Sequence, residues 1–448
     1  MNDERMGTKK ILPLLVEFSI PAIIGMLVNA IYNIVDRMFI GNVPGLGATG
    51  LAAISISYPV TLVLMALSLL VGAGGATRFS ISLGAGEREE AGKYMGNALT
   101  FTVVLGAIYM IGGLLFIKPI LIALGASSKV LPYALQYLSI ILYGAVFQCV
   151  AMAGNNFSRA QGNPKNAMIS QLIGAGFNIV FDYILIVKCN MGMQGAALAT
   201  IGGQFLSAIW QLAFLFSDRT LIRTTFSLMK PKLHCMVNIA KTGIPAFLTQ
   251  MSNSVLNIVL NAMLVKYGGD VALSSIGIVT SVQTLLLMPL TGLALGQQPL
   301  ISYNNGAKNM KRVKETLRYA AIGASIISVT GFACVQLFTS AIVHAFNNQT
   351  NVVTLSTHAM HIWFFFFAVV GAQTIMANYF QAIGKITESS FLNLLRQIIL
   401  LIPLILILPL LFGLQGIFMA VPCADLCAFI ITAICLKTEF RKQSKRIS

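Results

Sequence analysis

The chain alternates long apolar runs with brief polar interruptions. Twelve runs are read, at about 12–40, 48–76, 94–117, 132–155, 165–187, 192–216, 237–265, 271–300, 314–338, 355–380, 387–411 and 413–436. Each is roughly 20 residues or longer, enough for a helix to cross about 30 Å of hydrocarbon. Short alternating segments of the β-barrel kind are absent, so helices are the predicted spanning element. The first run follows a short charged tail and lacks a small-residue cleavage pattern. It is expected to stay as a span, not to be removed as a signal peptide.

The runs fall into two sets of six. GIPAFLTQMSNSVLN (243–257) answers SIPAIIGMLVNAIYN (19–33), pairing Pro245 with Pro21, Asn253 with Asn29 and Asn257 with Asn33. GAKNMKRV (306–313) answers GAGEREEA (84–91), YFQAIGKI (379–386) answers FSRAQGNP (157–164), and GLQGIFM (413–419) answers GMQGAAL (192–198). A block of six spans returns the chain to its starting side, so the two copies share one orientation. The expected architecture is all-α and integral to the membrane, with twelve helices in two six-helix lobes. The lobes are assigned to 1–216 and 237–448, and the linker containing Pro231 to 217–236. Two such lobes enclose a central cleft.

Composition agrees with this reading. Hydrophobic residues make up 56% and charged residues 10%, against about 25% charged in soluble domains; the mean hydropathy is +0.81. A net charge of +16 is the value that needs explaining, because a basic excess often marks a nucleic-acid binder. With alternating sides, 24 of the 30 Lys and Arg residues collect on the side of the chain termini, and five (Arg37, Lys118, Lys129, Lys188, Lys266) on the other. That is the positive-inside pattern, so both termini are expected in the cytoplasm of a cell whose plasma (inner) membrane the chain spans. No nucleic-acid partner is expected. The seven cysteines follow no pairing pattern.

Acidic residues at membrane depth are costly and need a reason. Four qualify: Glu17, Asp36, Asp182 and Asp425. Glu17, near the start of the first run, suits an interfacial role. At 1.5 Å per residue, Asp36 lies roughly 36 Å along its run and Asp182 roughly 25 Å along the fifth, with Asn178 one turn before it. Thr200 lies about 12 Å into the sixth run from the far side. Two carboxylates, an amide and a hydroxyl therefore share one level of the first lobe. They are hard oxygen ligands, suited to Na⁺ or to a shared proton. Asn29 and Asn33 fall on the same helical stripe as Asp36. The second lobe lacks these acids, having Leu260 and Leu404 where the repeat places Asp36 and Asp182. Asn29, Asn33, Asn253, Asn257 and Asp425 are expected along the cleft, with Asp425 either bonding a neighbouring helix or meeting a cationic ligand. Arg396, in the eleventh run, must face a cavity, a partner or an interface. Pro21 interrupts the first run and is a candidate hinge.

His358 and His361 share a helix face without a completing acid or thiol, and read as packed or interfacial residues. WFFFFA (363–368) reads as core or lipid-facing. Enzyme signatures such as HExxH, GxSxG, a DDxxD-like run and Walker A are absent, so neither an enzyme nor an ATP-driven pump is expected. No cofactor beyond a coupling ion is expected.

IPAIIGMLVNAIYNIVDRMFIG, the GAGEREEA and RAQGNPK loops, NIVFDYI and GMQGAALAT together resemble the MATE (multidrug and toxic compound extrusion) transporters over essentially the whole chain. The resemblance is greatest to a MepA-like bacterial branch. It implies secondary active efflux of amphipathic, mostly cationic compounds and drugs, in antiport with Na⁺ or H⁺, by a monomer alternating access between its lobes among membrane lipids. The family's coupling site falls on Asp36, Asn178, Asp182 and Thr200, with Tyr137 added by the resemblance alone. Asn253 stands where some relatives carry a second-lobe acid. The alternative is a related lipid-linked oligosaccharide flippase, which needs a basic cavity for pyrophosphate.

Overall fold

The computed structural model describes residues 4–447 apart from 42, 44, 45, 347 and 348. Met1 and Ser448, the termini expected in the cytoplasm, lie outside the described residues, as do the side chains of Lys445 and Arg446. The helices run in the order α1 Glu4–Thr8, α2 Ile11–Gly41, α3 Gly47–Gly84, α4 Arg88–Ala123, α5 Leu131–Tyr143, α6 Ala145–Ala160, α7 Pro164–Asp182 and α8 Gly192–Leu215. The second half holds α9 Leu233–Gly306, α10 Met310–Phe346, α11 Thr350–Trp363, α12 Phe367–Ala382, α13 Ile386–Leu394, α14 Ile402–Phe412 and α15 Leu414–Ile447. No strand occurs among the described residues.

Ten helical stretches are long and apolar enough to cross a membrane on their own. Two further crossings are bent pairs, α5 with α6 at 51° and α11 with α12 at 53°, so each pair counted as one span gives the expected twelve. The bends occupy the fourth span of each half. Gly144 makes the first. The aromatic run makes the second: Phe364 and Phe367 are buried in the core and Phe365 faces outward. α9 carries two crossings, divided at Gly269, whose φ of +61° suits a residue without a Cβ. The segment between α8 and α9 covers 216–232, so the seventh helix begins four residues earlier than expected. Pro231 fits no helix interior, and helix starts directly after the extended Lys232.

That connecting segment is tied to the first half. Thr100 Oγ1 donates to the Met229 carbonyl at 2.6 Å, Asn97 Oδ1 accepts from Lys232 N at 2.6 Å, and Gln161 Oε1 accepts from Leu221 N at 2.8 Å.

The halves meet where α3 and α2 press on α9. The contact is backbone to backbone and requires glycine. A Cβ on Gly243 would stand 1.8 Å from the Leu70 carbonyl oxygen, and one on Gly84 1.9 Å from that of Tyr303. The repeat shows here too, since Gly74 packs on Ile239 and Gly243 while its counterpart Gly296 packs on Ser19. All these residues lie toward the end of the bundle that holds the 216–232 segment. Two polar bonds cross the same seam, Arg78 Nε to Thr242 Oγ1 at 2.7 Å and Gln298 Nε2 to Thr77 Oγ1 at 3.0 Å.

Candidate functional site

In the first half, α7 packs between α2 and α8. Small residues set the spacing. A Cβ on Gly203 of α8 would lie 2.5 Å from the Gly174 carbonyl oxygen of α7, and one on Gly25 of α2 would overlap the Gln171 side chain. With the backbones this close, Asn178 of α7 reaches Thr200 of α8, its Nδ2 donating to Oγ1 at 3.4 Å. Thr200 passes its own proton to the Ala196 carbonyl at 3.0 Å. One turn beyond Asn178, Asp182 ends α7. A π turn, Tyr183–Lys188, follows it and widens the helix there; such turns recur at functional sites.

Asp36, Asn178, Asp182 and Tyr137 are all buried, Asp182 completely (0% exposed). Asp182 lies within electrostatic reach of Asp36, and Tyr137 within reach of both. No basic side chain makes an ion pair with either acid among the described residues. Arg37 lies within electrostatic reach of Asp36 but makes no ion pair with it, placing its guanidinium over the Tyr58 ring at 5.9 Å. Asp36 Oδ1, Asn178 Oδ1 and both carboxylate oxygens of Asp182 are buried without a hydrogen-bond donor. A buried carboxylate without a donor costs several kcal/mol or takes up a proton or cation, by the general rule for unpaired polar atoms. Four acceptor oxygens from two neighbouring helices are thus left without donors, an anionic set, here called the acidic cradle, of the hard kind that suits a small cation or a proton. Among the described residues no three His, Cys, Asp or Glu side chains cluster as a transition-metal site would need.

The asparagine stripe is not part of that cradle. Asn33 is exposed and spends its amide on the Asn29 carbonyl of its own helix at 2.6 Å. Asn257 makes the matching bond to the Asn253 carbonyl at 2.8 Å. The nearer neighbour of Asp36 is Tyr32, one turn back and within its electrostatic reach, which hydropathy conceals because tyrosine suits a membrane helix. A second omission is the polar face of α8. Thr200, Gln204, Ser207 and Gln211 recur at helical spacing, and Gln211 ends in a buried network. Its Oε1 accepts from Ser158 at 2.5 Å and Asn166 at 3.1 Å, and its Nε2 donates to Asn155 Oδ1 at 2.7 Å. The 3.6-residue periodicity of those four residues was a readable signal.

The second half handles charge differently. Arg396 lies in a π turn, Leu395–Leu401, and its Nε donates to Asp425 Oδ1 of α15 at 2.7 Å. Asp425 is 4% exposed and, of the two roles expected for it, makes the bond to a neighbouring helix. The physical reason is that a buried acid is held by the nearest fixed cation, here Arg396. Next to Arg396, Gln397 Nε2 donates to Asn253 Oδ1 at 2.8 Å. Glu17 is likewise paired, with Arg5 at 2.5 Å. His361 bonds Gln336, and His358 is exposed.

The MatE family model matches twice, over residues 21–184 and 245–407. The two matches start 224 residues apart, which restates the internal repeat. The chain belongs to the MatE family. It is a multi-pass membrane protein of a transporter family, with the twelve-helix, two-lobe fold of that family. It is similar to the multidrug export protein MepA of Staphylococcus haemolyticus (strain JCSC1435), 29% identical over 96% of this chain and 95% of that one. The MepA of Staphylococcus aureus (strain MSSA476) is also 29% identical, over 92% and 91%. Among solved structures, an outward-facing MATE transporter of the MOP superfamily superposes with a TM-score of 0.92 at 24% identity, covering 98% of this chain and 99% of that one. A MATE structure in a bent conformation gives 0.93 at 24%, covering 100% and 99%. These structural likenesses concern the fold.

Proposed function

We propose that the protein is a secondary active multidrug efflux transporter, exporting amphipathic organic cations across the plasma membrane in exchange for Na⁺ or H⁺. The observation that carries this reading is the buried acidic cradle of Asp36, Asn178, Asp182 and Thr200, with four orphaned acceptor oxygens. The multidrug export proteins to which the chain is similar supply the substrate class.

The mechanism follows from charge. An empty cradle holds negative charge in a low-dielectric setting, and a cation or proton entering it removes that penalty. Neutralisation changes which neighbours α2 and α7 prefer, so filled and empty cradles favour different arrangements of α2 around Pro21. If α2 occupies more of the cleft in the filled state, a bound drug is displaced outward as the ion enters. Coupling requires the ion to bind the two arrangements unequally; equal affinity shifts nothing. Na⁺ and H⁺ compete for the same oxygens, so Na⁺ affinity falls as pH falls.

The test uses proteoliposomes loaded with a fluorescent organic cation, with Na⁺ and pH gradients imposed separately. Uptake or release driven by one gradient, and lost in Asp36→Asn, is expected. Equal drug movement with neither gradient would sink the antiport reading.

The flippase alternative needs a basic cavity. Arg396 is neutralised by Asp425 and offers no free charge to a pyrophosphate, and Arg159, without a carboxylate partner among the described residues, lines a space too narrow for one.

A further inference from the structure

At the seam between the halves, apart from the acidic cradle, lies a narrow space of about 10 Å³, room for a single water-sized or slightly larger ion. Its walls come from α3 (Thr77, Ser80), from α6 (Asn156, Arg159) and from the second half of α9 (Gln298, Ser302). Arg159 is 6% exposed and has no carboxylate partner among the described residues. One of its five N–H groups is spent on Asn156 Oδ1 at 3.0 Å. Ser80 is 1% exposed, and its hydroxyl, on the same wall, has no partner at all. Thr77 Oγ1 accepts from Gln298 across the seam at 3.0 Å, which leaves its own proton to donate. Asn156 and Ser302 turn their donors away, to the carbonyls of Met152 (2.9 Å) and Ala382 (2.7 Å).

A guanidinium on a buried residue without a counter-charge is costly, and its planar fork of N–H groups demands acceptors. Here the unspent groups are donors: the remaining N–H groups of Arg159, the Ser80 hydroxyl and the Thr77 hydroxyl. Water fills a polar cavity of this kind but leaves the charge uncompensated. We propose that this space binds a small inorganic anion of chloride size, held by Arg159, Ser80 and Thr77. Because Gln298 closes it from the opposite half, the site is complete only while the halves touch at this end. Anion binding therefore stabilises the arrangement in which the seam is shut. This inference is independent of the coupling ion, since no residue of the acidic cradle takes part.

The deciding measurement is diffraction from crystals of the full-length protein grown in bromide. A bromide anomalous peak within hydrogen-bond distance of Arg159 and Ser80 is expected; no peak between the halves overturns the site. In parallel, the melting midpoint of the purified protein is followed as gluconate is replaced by chloride at constant ionic strength, which holds screening fixed. Wild type should show a saturable rise, as for any ligand of the folded state. Ser80→Ala should need several-fold more chloride for the same rise, and Arg159→Gln should show none. The same saturable rise in Arg159→Gln would reduce any bromide peak to an adventitious ion and overturn the proposal. Should Arg159→Gln fail to fold, Ser80→Ala and the bromide map still decide. An unchanged chloride response in Ser80→Ala counts against the site.

Discussion

The fifth span of each half bears a charged residue at a π turn, and the two halves give that charge opposite surroundings. In the first half Asp182 stands beside Tyr183–Lys188 with both oxygens unpartnered, within electrostatic reach of Asp36. In the second half Arg396, inside Leu395–Leu401, is bonded to Asp425 on the next span. On the proposed function, the first arrangement is left open to an exchangeable cation. The second supplies its cation from the chain itself, so nothing need enter or leave. A twofold repeat has thus kept its backbone, including the paired bends and the matching Asn33 and Asn257 bonds, while its charge chemistry has become one-sided.

The largest effect should come from the open side. Asp36→Asn and Asp182→Asn each keep shape and hydrogen-bonding capacity but lose the charge that a cation or proton needs. Active efflux should fall to the vector background in both, with normal amounts of protein in the membrane. Drug resistance at wild-type level in both variants would remove the first-half cradle from the mechanism.

On the closed side the expected loss is of stability, not transport. Arg396→Met leaves Asp425 buried and alone, a change that costs about 3–5 kcal/mol in comparable buried pairs. The melting midpoint should drop sharply, and the double variant Arg396→Met with Asp425→Leu should recover most of it and still export drug. A double variant that folds well yet cannot transport would show that the pair also serves the transport cycle.

A third change probes how the cradle is held. Gly203→Ala drives a methyl group against the Gly174 carbonyl, which is backbone and cannot swing aside. α7 and α8 must separate, lengthening the Asn178–Thr200 contact. Ion affinity should weaken about tenfold, equivalent to 1.4 kcal/mol, with the charge of the cradle unchanged. Isothermal titration with Na⁺, or pH titration of intrinsic fluorescence, would read it.

Much of this contrast was legible in the residues. Hydropathy revealed the spans because hydrocarbon admits little else than helix. Counting 1.5 Å per residue placed Asp36, Asn178, Asp182 and Thr200 at one level, whereas Tyr137 came from the family resemblance. The same counting could have paired Arg396 with Asp425. They lie roughly 24 and 17 Å from the shared turn near Gly413, a gap that an arginine side chain spans. The π turns and the break at Gly144 were not legible, because they depend on packing against neighbouring helices and carry no composition signal. Nor was the fate of Asn33, since a stripe shows which residues share a face but not whether an amide prefers its own backbone.

The smallest expected difference is the most informative about coupling, and it compares two prolines. Pro21 and Pro245 occupy matching places in the first span of each half, and each removes one backbone hydrogen bond from a long helix. Of the two, among the described residues, α2 is the one that joins its proline to an unpartnered acid, fifteen residues further on. In the second half Asn253 is tied to Gln397, so a bend at Pro245 has no ion to answer to. If α2 hinges at Pro21 as proposed, Pro21→Ala restores an N–H there and so favours the straighter arrangement whether or not the cradle is filled. Cation binding should persist while efflux falls, because the ion no longer biases the helix. Pro245→Ala should leave both nearly unchanged. Direct Na⁺ or proton binding measured beside drug efflux separates the outcomes. Equal losses in the two variants would mean that both prolines matter for helix geometry alone, and wild-type efflux in Pro21→Ala would show that α2 need not bend for the ion to act.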